Sequence, residues 1–340
     1  MYSNILNDNC NFSKAYPEIS RQQTKAGYRI TLQTAKEFLF ENGYISLNDL
    51  NNPDCDYTAI TTGIFRAFCD GKLSLNATKQ DGISNKTPIR VSTGLSGKLD
   101  TVFSVSTISL VNQFCLSRMK NDDLVCSKCY VPESLRIDGI LAYTQNMYVL
   151  THFDLSVHTE WIPQMNAVWA KHQIEKKIRN AIADGKIEIS EKEIQDILNK
   201  NPLCRFESMG DLACTLQAKN YLTIANANND FDYALWTKNP AVLAYAIDEM
   251  GKPSNLATVL SMSRKNKMDK DTFIERYRAY FNHMFVVADD KEIIADFLNQ
   301  DGYFPCQCGH FSCVRCRHCY QHDNETLDTA VEKLRDKKLK

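Results

Sequence analysis

Apolar positions recur along the chain in two alternating periods. From Thr31, residues Leu32, Ala35, Phe38 and Leu39 repeat at helical spacing until Gly43, and Ile60, Ile64, Phe65 and Phe68 do so again until Gly71. Before them, residues 1–28 have no period and read as a loose arm. Residues 76–98 are rich in Asn, Thr, Ser and Gly and read as a loop, after which Val102–Ile108 alternates with β-branched residues and predicts a strand. A polar loop carrying Cys115, Cys126 and Cys129 leads into a helix with Leu141, Met147 and Leu150 on its apolar face. Residues 160–200 predict two charged amphipathic helices with a break near Gly185 and Ser190.

Beyond Pro202 the two periods take turns. Leu203 opens a strand that ends in a loop at Ser208–Leu212, and a helix follows from about Ala213 to Asn226. Tyr233–Lys238 is a strand, Pro240–Met250 a helix closed by Gly251, Leu256–Met262 a strand, Phe273–Asn282 a helix and Met284–Ala288 a strand. Asp289 and Asp290 cap the helix that comes next, and residues 324–340 predict a terminal amphipathic helix with a lysine-rich end. Strands alternating with helices imply parallel βαβ units. The strands are too few for a closed eightfold barrel, so the fold class expected is α/β, a partial or irregular (βα) barrel with an N-terminal α-helical cap and a C-terminal cysteine cluster. The units expected are residues 1–75, helical; 76–305, barrel-like; and 306–340, the cluster with its helix.

Composition narrows the function classes. The chain has 340 residues, 24% charged and 44% hydrophobic, with a formal net charge of −1, so no global field draws it to nucleic acid or to acidic membrane. The first two helices have the outline of a helix-turn-helix, but Arg66 and Lys72 are the few basic residues beside them, which argues against DNA reading. Thr93–Lys98 has the flavour of a phosphate loop but lacks its spacing, since Leu99 follows the lysine. Met1–Leu6 has no export-signal pattern and no apolar run is long enough to span a bilayer, so the expected compartment is a reducing cytoplasm, with no membrane partner.

In that compartment the 13 cysteines are not a disulfide framework. Cys313, Cys316 and Cys319 read C-x2-C-x2-C, behind Cys306 and Cys308. Soft thiolates at two-residue gaps hold a metal or the edge of a cluster, and three in tandem begin the ferredoxin-type run. Cys306 is the expected fourth ligand. The alternative is a closed structural zinc site, from four cysteines or from three with His310 or His318. Cys115, Cys126 and Cys129 form a second group, either an open three-thiolate site or part of one metal shared with the first. Cys10, Cys55, Cys69, Cys204 and Cys214 stand apart and read as packing residues. Asp211, Arg205 and Lys238 fall at predicted strand ends, where barrel chemistry sits, or form an ordinary ion-pair network. Trp161 and Trp169 read as core.

Three stretches together resemble the phage gene-product-eighty-eight family. They are Cys115, Cys126 and Cys129 with Tyr130; Arg205, Ser208, Gly210 and Asp211, with Met209 inserted, together with Trp236, Thr237 and Lys238; and Cys306, Cys313, Cys316 and Cys319 with Tyr320 in place of a tryptophan. The resemblance covers roughly residues 90–320 and implies an α/β fold bearing cysteine sites, acting in the cytoplasm of the infected host cell. The strand, cysteine loop and helix are also similar in layout to radical S-adenosylmethionine enzymes, though here the spacing is C-x10-C-x2-C. That similarity implies one or two [4Fe–4S] clusters, S-adenosylmethionine as a cofactor, and radical or redox chemistry on a nucleotide or nucleic acid, with Ser208 and Gly210 binding a ribose or amino-acid group. The competing expectation is a non-enzymatic zinc protein that binds nucleic acid or another protein.

Overall fold

The structure, a computed structural model, describes residues 16, 18–19, 22–24, 27–52, 57–94, 99–120, 125–129, 131, 135–264, 272–288, 290–299, 302–305, 312–322 and 328–333. A short hairpin, β1 (Gln22–Thr24) with β2 (Gly27–Arg29), precedes helices α1 (Leu32–Glu41), α2 (Leu47–Asn51) and α3 (Tyr57–Cys69). Thr31 and Ser46 each start their helix with a reciprocal capping box, which satisfies backbone N–H groups that a first turn leaves open. A second hairpin, β3 (Thr78–Lys79) with β4 (Lys86–Thr87), leads to β5 (Ser92–Thr93) and β6 (Phe103–Val105). Helices α4 (Gln113–Lys120), α5 (Ile137–His152), α6 (Ala167–Ala183) and α7 (Glu191–Leu198) come next. Then follow β7 (Leu203–Phe206), α8 (Thr215–Ala227), β8 (Asp232–Thr237), α9 (Pro240–Met250), β9 (Leu256–Arg264), α10 (Thr272–Tyr277), β10 (His283–Ala288), α11 (Lys291–Leu298), β11 (Tyr303–Pro305), α12 (Cys313–Cys316) and β12 (Asp328–Lys333).

Eight strands form one sheet in the order β11-β12-β10-β9-β8-β7-β6-β5, parallel throughout except for β5. Among the described residues the edge strands β11 and β5 do not pair, so what forms is an open, mostly parallel sheet of eight strands and not a closed barrel. The expected C-terminal helix is also corrected: residues 328–333 are a strand, and the remainder of 324–340 lies outside the described residues. The α/β class and the alternation of elements stand.

Both faces of the sheet are covered, which is why its strands read as nearly continuous apolar runs. Along β8, Tyr233 and Leu235 enter one cluster while Ala234 and Trp236 enter the other. On the first face lie Tyr221 and Leu222 of α8, Leu243 of α9 and Val149 of α5. On the second lie Ile174 of α6, Ile197 of α7, and Val314 and Tyr320 from the C-terminal cysteine segment. Trp161 and Trp169 pack against the first cluster, as core residues. A further cluster joins α1, α3 and α5 through Leu39, Ile64 and Ile140.

Handedness explains where the cysteine segment runs. From β7 to β10 each strand is laid down beside the last in one direction, so right-handed crossovers keep the connecting helices α8, α9 and α10 on one face. The chain then steps outward to β11 and returns inward to β12. A right-handed return must cross the opposite face, and Val314 and Tyr320 are packed there. No helix among the described residues is long and apolar enough to cross a membrane.

Candidate functional site

The carboxyl ends of β6, β7 and β8 gather a buried polar network, in the place where parallel α/β sheets hold ligands. Glu207 follows β7 directly. Its backbone is left-handed at φ 58° and its side chain is 3% exposed. The carboxylate accepts from Gln217 Nε2 at 2.6 Å, from Thr107 Oγ1 at 2.9 Å, from the Thr107 amide at 3.3 Å and from the Tyr221 hydroxyl. Gln217 and Tyr221 stand one turn apart on α8 and so reach the same carboxylate. Burial pushes the Glu207 carboxyl up to about 7, Asp211 adds to the rise, and the Tyr221 and Thr107 hydrogen bonds oppose it. Gly210 permits this approach: a Cβ there would lie 2.6 Å from Glu207 Oε2 and 2.7 Å from Thr107 Oγ1. A non-glycine residue on left-handed backbone, with a shifted buried acid, is the kind of strain that collects at working sites.

Asp211 is 7% exposed and closes the end of β8, accepting from the Lys238 amide at 2.9 Å, the Leu212 amide at 2.7 Å and the Thr237 hydroxyl. Burial raises its carboxyl too, against those hydrogen bonds. Asn112 ties this loop to the central cysteines. Its Nδ2 donates to Asp211 O at 2.7 Å, while its Oδ1 accepts from the amides of Phe114 and Cys115 and so caps α4. Cys115 is therefore held beside the acids. Burial drives its thiol far up, and Asp211, Glu207, Cys126 and Cys129 all act on it electrostatically in the same direction. A thiolate among such neighbours needs a cation, which is the environment a metal or cluster supplies. Ser208 Oγ sits 2.9 Å from Ser104 Oγ and 2.7 Å from Ser106 Oγ, a chain of hydroxyls one residue beyond Glu207.

Not every expected site residue joins this network. Arg205 faces the second side of the sheet, its guanidinium 4.4 Å from the Trp236 ring centre, away from Asp211. Cys306 lies outside the described residues, as do Cys308, His310, Cys10 and Cys55. Cys313 and Cys319 are half-buried over the second face, and Cys316 is exposed. Beside them two buried polar atoms, Tyr320 Oη and Arg205 Nε, find no hydrogen-bond partner. Both Arg205 and the two cysteines act on the Tyr320 hydroxyl electrostatically. Such orphaned donors fit an acceptor-rich occupant, as metal-bound thiolates are.

The sequence had put no weight on Glu207, Thr107, Gln217, Tyr221 or Asn112. A glutamate directly after an apolar strand, with Gln217 and Tyr221 one helical turn apart on the helix that follows, is the signal that was there. At the opposite, N-terminal edge of the sheet, His283 and Asp328 face each other in register on β10 and β12, and His318 joins them from the cysteine segment. Among the described residues this trio brings its ligand atoms within 4.8 Å of one another.

No match is found among curated proteins or among solved structures. A family model does match, over residues 159–337, a span that takes in Glu207, Asp211, Gln217 and Tyr221, the histidine pair and the C-terminal cysteines but begins after Thr107, Asn112, Cys115, Cys126 and Cys129. That model describes gene product 88, it covers just over half of the chain, and the chain belongs to the gene product 88 family.

Proposed function

We propose that the chain is an enzyme whose reaction takes place at the carboxyl ends of β6–β8, where Cys115, Cys126 and Cys129 hold an iron–sulfur cluster and Glu207 exchanges a proton with the substrate. The observation that carries this reading is Glu207 itself, a buried acid pushed up to about 7 beside a cysteine that the same burial penalises as a thiolate. A cluster on three protein thiolates leaves one iron open to a ligand and supplies a single electron there. Glu207 then holds or releases a proton near neutral pH. Asp211 keeps the Lys238 amide and the Thr237 hydroxyl in place at the rim. The hydroxyls of Ser104, Ser106 and Ser208 are of the kind that meet a ribose, which supports a nucleotide or nucleic-acid substrate and S-adenosylmethionine as the cofactor. Cys306, Cys313, Cys316 and Cys319 would hold an auxiliary cluster in this reading. The reducing cytoplasm of the infected host cell suits such thiolates.

The second reading is a zinc protein without catalysis. Its support is the place of Cys313, Cys316 and Cys319 within the β11–β12 crossover, where a closed tetrahedral site staples the fold. Anaerobic purification with iron, sulfide and zinc analysis separates the two. Stoichiometric iron and sulfide are expected, lost in part when Cys126 and Cys129 become serine. Glu207→Gln should keep the iron and slow turnover of the substrate by at least ~100-fold. Zinc without iron would sink the redox reading and leave the structural one.

A further inference from the structure

We propose that His283, His318 and Asp328 bind one divalent transition-metal ion at the N-terminal edge of the sheet, a site distinct from both cysteine groups and independent of how those are filled. Three separate segments converge there. His283 opens β10 and Asp328 opens β12, side by side in parallel register, and His318 comes from the crossover above them.

Hydrogen bonds set the orientation of these ligands. His283 Nε2 lies 2.7 Å from Gln321 O, an acceptor with no proton of its own, so the ring donates there. Its other nitrogen, Nδ1, then faces Asp328 Oδ1 at 2.6 Å. A carbonyl holding the far side of a histidine ring is the usual second support of a metal-ligating imidazole. His318 Nε2 lies 3.3 Å from the other carboxylate oxygen, Asp328 Oδ2, yet it is buried and makes no hydrogen bond.

A metal-free account has to explain both rings. A doubly protonated His283 paired with an ionised Asp328 accounts for the first ring. It leaves the His318 nitrogen buried, 3.3 Å from Asp328 Oδ2 but without a well-formed hydrogen bond. An ion among the three groups accounts for both, because each imidazole then offers a lone pair.

The segment carrying His318 is held for this purpose. Arg317 has left-handed backbone at φ 55°, and its guanidinium donates to Asn201 O at 2.8 Å and to Asp232. Asn282 Nδ2 donates to His322 O at 3.0 Å. The loop is therefore fixed on both sides of the ring. Two imidazoles and one carboxylate are borderline donors suited to zinc or ferrous iron, and three protein ligands leave a position open for water or substrate.

Cobalt(II) tests the site, because thiolate ligands give it a strong near-ultraviolet charge-transfer band and imidazole–carboxylate ligands do not. The full chain, stripped with chelator, is titrated with cobalt(II) and zinc(II) beside Asp328→Asn and His318→Gln. Each variant is expected to bind one equivalent fewer and to keep the thiolate band at full strength. Equal stoichiometry in all three proteins, or a loss of the thiolate band along with the missing equivalent, would overturn the site. Nitrogen-15 spectra of the histidine rings in the unaltered chain need no variant to fold. Zinc should move the His318 Nε2 and His283 Nδ1 resonances together, and resonances that stay in place would overturn the proposal equally.

Discussion

At the scale of single residues, Glu207 sets the clearest expectation. Its carboxyl holds a proton more tightly in the folded chain than in the unfolded one, at about 7 against the ordinary 4.5. Such a group favours the fold below the lower value, and that contribution is lost as pH rises through the upper one. Urea midpoints measured across this window should therefore fall as pH rises, and Glu207→Gln should flatten that part of the profile. An unchanged slope in the variant would mean that other groups set it. Asp211 was legible as a strand-end acid, because a charge beside a glycine at the close of an apolar run stands out. Glu207 was not, because its partners Thr107, Gln217 and Tyr221 come from two other elements, up to 100 positions away. Nothing local to Arg205 showed that it would turn to the other face and lie over Trp236.

At the scale of elements, the chain was most readable where boundaries are written locally. The helix Pro240–Met250 has proline at its start and Gly251 at its end with φ 76°, and the sequence placed it to the residue. The strand Asp328–Lys333 is the contrast. Its charged, short-range pattern suits a helix, and it becomes a strand because β10 and β11 flank it on either side. Helix α4 was also hidden, since its eight residues are too few to show a clear period and its start depends on Asn112. Removing that cap with Asn112→Ala should cost about 1–3 kcal/mol, from a lost cap and a buried acceptor left open on Asp211. Hydrogen exchange of residues 113–120 and alkylation of Cys115 should both quicken. If both rates stay as they are in the unaltered chain, Asn112 does not hold the cysteine helix in place.

At the scale of the whole molecule, one sheet separates two sites. The acid network and central cysteines occupy the carboxyl edge, and the histidine pair with Asp328 occupies the amino edge. The C-terminal cysteines cross the face between β11 and β12, so they are bound up with the sheet's integrity as well as with any metal. A chain ended after Pro305 lacks β12 and exposes the backbone of β10 along a new edge. It should lose cooperative unfolding in urea and self-associate on a sizing column. A monomer with a sharp transition would show that the first 305 residues suffice. The position of β12 also bears on birth at the ribosome. Synthesis runs from the amino end, yet β12, an interior strand of the sheet, emerges after both of its neighbours, β10 and β11. Until β12 emerges, β10 is a sticky border with no neighbour on one side. The nascent protein thus has an interval in which a chaperone, or a second nascent copy, competes with its own β12 for that border.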